Sequence, residues 1–281
     1  MPAQTGCVYF EAEAASQWEV PIATIGGLPI AIMDRAKSAQ LMVDLALARR
    51  NAARRPLIFT SANGQVLSLC ARQPSIRDLF LKADLIHADG MPLVLVSRLF
   101  HQTPLPERVA TTDLFDDVAA VAQERGAGIF LLGAAKSVVV QAERCIRERY
   151  PDLDVVGSGC GYLRREGDEG RIIDEINRAC PDILFLGLGA PAELEFALRY
   201  RDRLHGVGLI KTSGGLFDFI SGKNARAPTW MQDAGLEWAY RVYLEPRRLA
   251  PRYFMTNPHA AFLLLTRTSQ MAPSWNRANK E

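Results

Sequence analysis

Six short apolar runs, spread through the middle of a 281-residue chain, constrain its fold more than any other feature. They are Leu57-Ile58-Phe59, Leu85-Ile86, Ile129 to Leu132, Val155-Val156, Ile183 to Leu186 and Val207 to Ile210. A strand with one wet face alternates apolar and polar residues, whereas an unbroken run suits a strand covered on both faces. Between the runs, Leu41/Leu45/Ala48 and Leu114/Val118/Val121 repeat at i, i+4, i+7, the spacing of an amphipathic helix. Strands alternating with helices predict an α/β fold, a mostly parallel, Rossmann-like sheet with helices on both faces. We expect this body to span residues 27–225. Residues 1–26 show little periodicity and read as a loose leader. Around Pro228 the pattern changes to a basic, aromatic-rich tail punctuated by Pro246, Pro251 and Pro258, and residues 226–281 read as a helical appendage.

Charge and composition narrow the partners. Lys and Arg number 33 against 31 Asp and Glu, a net +2 that is too balanced for bulk nucleic-acid binding. Nine basic against four acidic residues from Gly222 onward leave +5 there and −3 in the 221 residues before it. An anionic partner is therefore expected at the C-terminal end. The five cysteines are widely spaced and lack a CxxC pair, which favours buried thiols in a reducing compartment over disulfides or zinc. The N-terminus carries Glu11, Glu13 and Glu19 where a signal peptide would be basic, and no apolar stretch reaches the ~18 residues of a spanning helix.

In an open parallel sheet, ligands meet the carboxyl ends of the strands, where glycine turns let backbone N–H groups approach a phosphate. Three turns qualify, and they contain Gly133, then Gly187 and Gly189, then Gly214 and Gly215. None is a GxGxxG or Walker A loop, so each alone also reads as plain strand–helix punctuation. Asp89, after the Leu85-Ile86 run, either caps the next helix or presents a carboxylate at the ligand edge. His87 reads as a buried, hydrogen-bonded imidazole. Asn63, closing Thr60-Ser61-Ala62-Asn63, either caps a helix or binds a ligand hydroxyl. Arg108 suits a diphosphate, with an ion pair near Glu107 equally open.

Several motifs, in order, resemble the WecG/TagA/CpsF glycosyltransferases, glycosyltransferase family 26. They include Ala88-Asp89-Gly90, Leu105-Pro106-Glu107-Arg108-Val109, Phe130 to Ala134, Pro181 to Pro191, and Gly214-Gly215-Leu216-Phe217-Asp218. The tail adds Arg226-Ala227-Pro228, Trp230-Met231-Gln232, Gly235-Leu236-Glu237-Trp238, Tyr240-Arg241 and Glu245-Pro246-Arg247-Arg248. The resemblance implies an inverting, metal-independent and cofactor-free transfer of a sugar from a UDP-linked donor to a polyprenyl-diphosphate-linked acceptor, in bacterial surface polysaccharide synthesis. N-acetylmannosamine, its uronic acid and glucose remain open as donor sugars. It places the catalytic carboxylate on Asp89, strand-end contacts on Thr60 or Ser61 and on Asn63, and tail arginines on Arg241, Arg247 or Arg248, and Arg252. Three departures stand out: Ala110-Thr111 where the family has Thr-Gly, Ala192-Glu193 where it has Lys-Gln, and, more mildly, Ser61 where it has Thr. Glu193 would thus face the ligand with a carboxylate in place of an amide.

Asp89 is accordingly expected to take the acceptor hydroxyl's proton. Arginines and helix N-termini would hold the departing diphosphate. In the tail, Tyr253, Phe254 and Phe262 to Leu265 interleave with Arg247, Arg248, Arg252 and Arg267, a pattern suited to an anionic membrane surface. The enzyme would then be cytoplasmic and peripheral to the inner face of the plasma membrane. Packing on the body or on a second subunit is the competing reading, and a homo-oligomer is compatible with it. A non-catalytic sugar-nucleotide-binding regulatory module is the alternative function. It predicts ligand binding without UDP release when acceptor is added.

Overall fold

The computed structural model describes residues 6–11, 17–50, 54–163 and 167–269. The chain opens with β1 (Gly6–Glu11), β2 (Gln17–Ile25), β3 (Leu28–Ala31) and α1 (Arg35–Leu47). Then come β4 (Leu57–Ala62), α2 (Gly64–Arg72), α3 (Pro74–Leu81), β5 (Leu85–Ala88), α4 (Met91–Phe100) and α5 (Thr111–Arg125). The second half runs β6 (Ile129–Gly133), α6 (Lys136–Arg149), β7 (Val155–Cys160), α7 (Asp168–Ala179), β8 (Ile183–Gly187), α8 (Ala192–Tyr200) and β9 (Leu209–Thr212). It closes with α9 (Leu216–Ile220), α10 (Thr229–Asp233), α11 (Glu237–Leu244) and α12 (Pro246–Thr266).

All six apolar runs are strands of one sheet, in the order β5-β4-β9-β8-β6-β7, and every pairing is parallel. The reason is visible in the alternation along each strand. Leu57 and Phe59 enter the core on one face and Ile58 the core on the other; Ile183 and Phe185 likewise oppose Leu184 and Leu186. Helices α1, α5 and α6 cover the first face, and α2, α3, α7 and α8 the second. Burying each large apolar side chain contributes about 1.5–3 kcal/mol over exposure, so a charge inside these strands needs its own explanation.

The N-terminal leader is a correction. Gly6–Glu11 and Gln17–Ile25 pair antiparallel where a loose segment was expected, and β3, inside the expected body, joins β2 to complete a three-stranded sheet. β1 and the start of β2 have one covered face, while β3 is buried throughout. Val8, Phe10, Val20 and Ile22 are buried while Tyr9 and Glu19 are exposed, a period-2 pattern that a search for unbroken runs passes over. The Phe10 ring packs 5.6 Å from that of Phe59, tying this sheet to the main one.

The tail is docked on the body. One stripe of α12 (Leu249, Ala260, Leu263 and Leu264) is buried. A Cβ built on Gly64 would stand only 3.1 Å from the Ala260 methyl, so the start of α2 lies directly against α12. Ser68 Oγ bonds His259 Nδ1 at 2.9 Å, and the Ser269 N–H donates to Thr24 O at 3.0 Å, returning the chain to the β2–β3 hairpin.

Candidate active site

The chain leaves β6 toward the edge strand β7 and leaves β8 in the opposite direction, toward β9. Divergent exits open a crevice at the carboxyl ends of adjacent parallel strands. Gly133 and Gly187 face each other there in register. A Cβ on Gly133 would sit 2.4 Å from Gly187 O, and one on Gly187 would meet Gly214 O at 3.0 Å. Only bare backbone fits at these ends. Gly189 (φ +81°) and Gly214 (φ +54°) turn the chain through left-handed conformations that glycine adopts freely. The three glycine turns predicted separately thus form one rim, and Gly215 follows as the N-cap of α9.

Asp89 lies on the same rim, at the end of β5. Its N–H donates to Ala62 O at 2.8 Å, pinning it beside the end of β4. The N-cap of α4 is Gly90, with no side-chain cap bond, so the carboxylate is not consumed as a cap. Burial pushes its carboxyl above the usual range, and the Glu237 carboxylate pushes the same way; Lys211, Arg241 and Arg108 oppose them. Asn63 took the other course, since its Oδ1 caps α2 by accepting from Val66 N at 3.1 Å.

Arg108 is held by three partners at once. It donates to Gln232 Oε1 at 2.8 Å, to Glu237 Oε2 at 3.1 Å and to Asp113 Oδ2 at 3.3 Å. Its ion pairs therefore run to Asp113 and to the tail. Glu107 is engaged elsewhere, accepting from the Arg35 N–H at 2.8 Å. Arg226 joins the network through Asp113 (2.5 Å) and Gln232 (2.7 Å), and Arg241 reaches Glu237 at 3.4 Å while lying 4.8 Å over the Phe219 ring. A Cβ on Gly235 (φ +70°) would meet Met91 Cβ at 3.1 Å, so the α10–α11 turn presses on the first turn of α4, beside Asp89. The tail thus closes one wall of the site. Of the other predicted arginines, Arg247 is exposed and Arg252 lies 4.9 Å over Tyr253. The Arg248 side chain lies outside the described residues.

Beneath the rim is a polar seam. Thr60 Oγ1 and Thr212 Oγ1 are bonded at 2.8 Å, and Lys211 Nζ donates to Ser61 Oγ at 2.8 Å and to Thr212 O at 3.0 Å. Burial pulls the Lys211 amine down to about 8, with Asp89 and Glu193 resisting. Glu193, expected to face a ligand, is turned inward instead and accepts from the Gly214 N–H at 2.9 Å. Burial pushes its carboxyl up to about 7, against the pull of the Gly214 N–H and of Lys211. His87 corrects a further expectation. It is fully buried, but neither ring nitrogen has a hydrogen-bond partner among the described residues. Its surroundings include the Phe59 ring edge and the Lys211 charge, and both burial and that charge hold it neutral. Lys211 opens the third of the glycine turns, but a lysine closing an apolar run looks like the solvent-facing start of a turn, and nothing in the sequence marks it as buried.

Among the described residues, no three His, Cys, Asp or Glu side chains gather as a metal site, and no helix is long and apolar enough to cross a membrane. Residues 23–273 match the sequence model of the Glycosyl transferase WecG/TagA/CpsF family. Two similar proteins, from Bacillus subtilis (strain 168) and Bacillus spizizenii (strain W23), are each named N-acetylglucosaminyldiphosphoundecaprenol N-acetyl-beta-D-mannosaminyltransferase. The first is 32% identical over 207 residues, 71% of this chain and 78% of its own length. The second is 32% identical over 193 residues, 68% of this chain and 72% of its own.

Proposed function

This chain belongs to the WecG/TagA/CpsF family of glycosyltransferases, and on that premise we propose that it moves N-acetylmannosamine, or a closely related sugar, from a UDP-linked donor to a sugar on a polyprenyl diphosphate. The acceptor class is taken from the two Bacillus relatives. In the reaction the acceptor oxygen attacks the anomeric carbon as the bond to the diphosphate breaks, inverting the configuration. Asp89 accepts the hydroxyl proton, and the bonding electrons leave with the nucleoside diphosphate.

One observation carries the reading: a carboxylate not used as a cap, at a strand end on a glycine rim, with Lys211, Arg241 and Arg108 acting on its charge. General-base assistance of this kind is worth ~10²–10⁴-fold. Arg108 and Arg241 are already engaged by the Glu237 carboxylate, and an incoming diphosphate offers them the same charge with more oxygens. These guanidiniums, with the backbone N–H groups of the rim, would stabilise the departing charge without a metal.

The exposed side of α12 supports a surface role. Phe254 (84% exposed), Phe262 (59%) and Leu265 (57%) fall on one stripe, opposite the stripe that packs on α2, and Leu99 on the adjoining α4 is 75% exposed. Apolar side chains so placed, with Arg247 and Arg267 exposed nearby, suit the boundary of an anionic leaflet where a lipid-linked acceptor resides. The decisive experiment is UDP release from UDP-N-acetylmannosamine with a short-chain lipid-diphosphate N-acetylglucosamine. Asp89→Asn should bind donor as the wild type does and lose at least ~10²-fold in turnover. Turnover near wild type would remove Asp89 from its role.

A further inference from the structure

Lys211 has no exposed surface, and among the described residues no other Lys or Arg is buried to that degree. It stands on β9, between β4 and β8 in the middle of the sheet, a position an apolar side chain would fill at lower cost. Two of the three N–H bonds of its ammonium are spent on Ser61 Oγ and Thr212 O. With the Ser61 oxygen taken as acceptor, the Ser61 proton points elsewhere, and Thr111 Oγ1 at 3.3 Å is its one described neighbour. β4 and β5 pair in register, Ser61 against His87, which brings this ammonium to the strand end that carries Asp89.

We propose that Lys211 is a positioning residue for the transfer, its buried ammonium keeping Asp89 ionised and fixing the Ser61 hydroxyl at the strand end beside Asp89. This rests on the reading of Asp89 as the base. No proton passes through Lys211: Asp89 takes the hydroxyl proton and becomes neutral, and the ammonium keeps its three. The charge is needed because two influences press Asp89 toward its neutral form, burial and the Glu237 carboxylate on α11. Arg241 on α11 and Arg108 before α5 also act on Asp89, and both are already paired with Glu237. Lys211 itself is faced by Asp89, by Glu193 on α8 and by His87 on β5, which is neutral. An opposite charge nearby lowers a carboxyl, by ~1–3 pH units at close range.

The test is the pH profile of kcat/KM for UDP release, measured on the full chain with Lys211→Met and Lys211→Gln. Gln retains a donor for Ser61 and drops the charge. The acid limb should move up by ~1 pH unit or more in both variants, with activity recovering toward alkaline pH. A uniform loss at every pH, or a limb restored to its wild-type position by Gln, would overturn the proposal and leave Lys211 a structural residue. Should neither variant fold, ¹³C-carboxyl and ¹⁵N-amine NMR titration of the wild type asks the same question, because charge coupling is reciprocal. The Asp89 and Lys211 signals should each step at the other's midpoint, and independent titrations would refute the coupling. Failure of the base assignment reads differently: Asp89→Asn would then keep both its turnover and its acid limb.

Discussion

Glu193→Gln should make this protein more stable, and by an amount that grows with pH. The carboxyl is buried and pushed from the usual 4.5 up to about 7. Below about 4.5 both folded and unfolded chains hold its proton, and the group contributes nothing. As pH rises from there to about 7 the unfolded chain releases the proton while the folded chain keeps it, so stability falls. Above about 7 the loss is complete, and at ~1.4 kcal/mol per pH unit it amounts to about 3 kcal/mol. Glutamine cannot ionise, and its amide oxygen still accepts from the Gly214 N–H, so the variant avoids the loss and keeps the contact. Urea melts should therefore place the variant within ~1 kcal/mol of the wild type at pH 5 and about 3 kcal/mol above it at pH 8. Lys211, whose charge Glu193 supports, is the one described group whose titration the substitution also moves, and lowering it widens the gap toward alkaline pH in the same direction. A gap independent of pH, or one that widens toward acid, would refute the claim that Glu193 carries an unfavourable buried charge.

Two other perturbations probe the frame and the surface. Gly133→Ala puts a methyl 2.4 Å from Gly187 O, a backbone atom that no side-chain rotation moves aside; the urea midpoint should fall by an amount equivalent to ~1–3 kcal/mol or more, and a variant melting like the wild type would show the strands do not approach so closely. Replacing both Phe254 and Phe262 by Ser removes two exposed rings from the outer stripe of α12; cosedimentation with anionic vesicles should weaken at least tenfold, since one inserted ring is worth ~1.5–3 kcal/mol, and undiminished binding would exclude this stripe as the membrane contact.

The linear order of residues determined most of the frame. Unbroken apolar runs can be satisfied only by strands covered on both faces, so six parallel strands and their flanking helices followed from hydrophobicity alone. The strand-end position of Asp89 and the glycine turns were legible for the same reason, because chain punctuation marks where strands stop. The N-terminal sheet was not legible, as its first two strands alternate over part of their length and their register depends on partners. What the tertiary structure alone decided is which groups share an electric field. Strand order sets β9 in the middle of the sheet and so buries Lys211; the docking of the tail brings Gln232 and Glu237 to Arg108. Burial and charge proximity act through space and fall off with distance, and residues far apart along the chain acquire those distances only once it has folded.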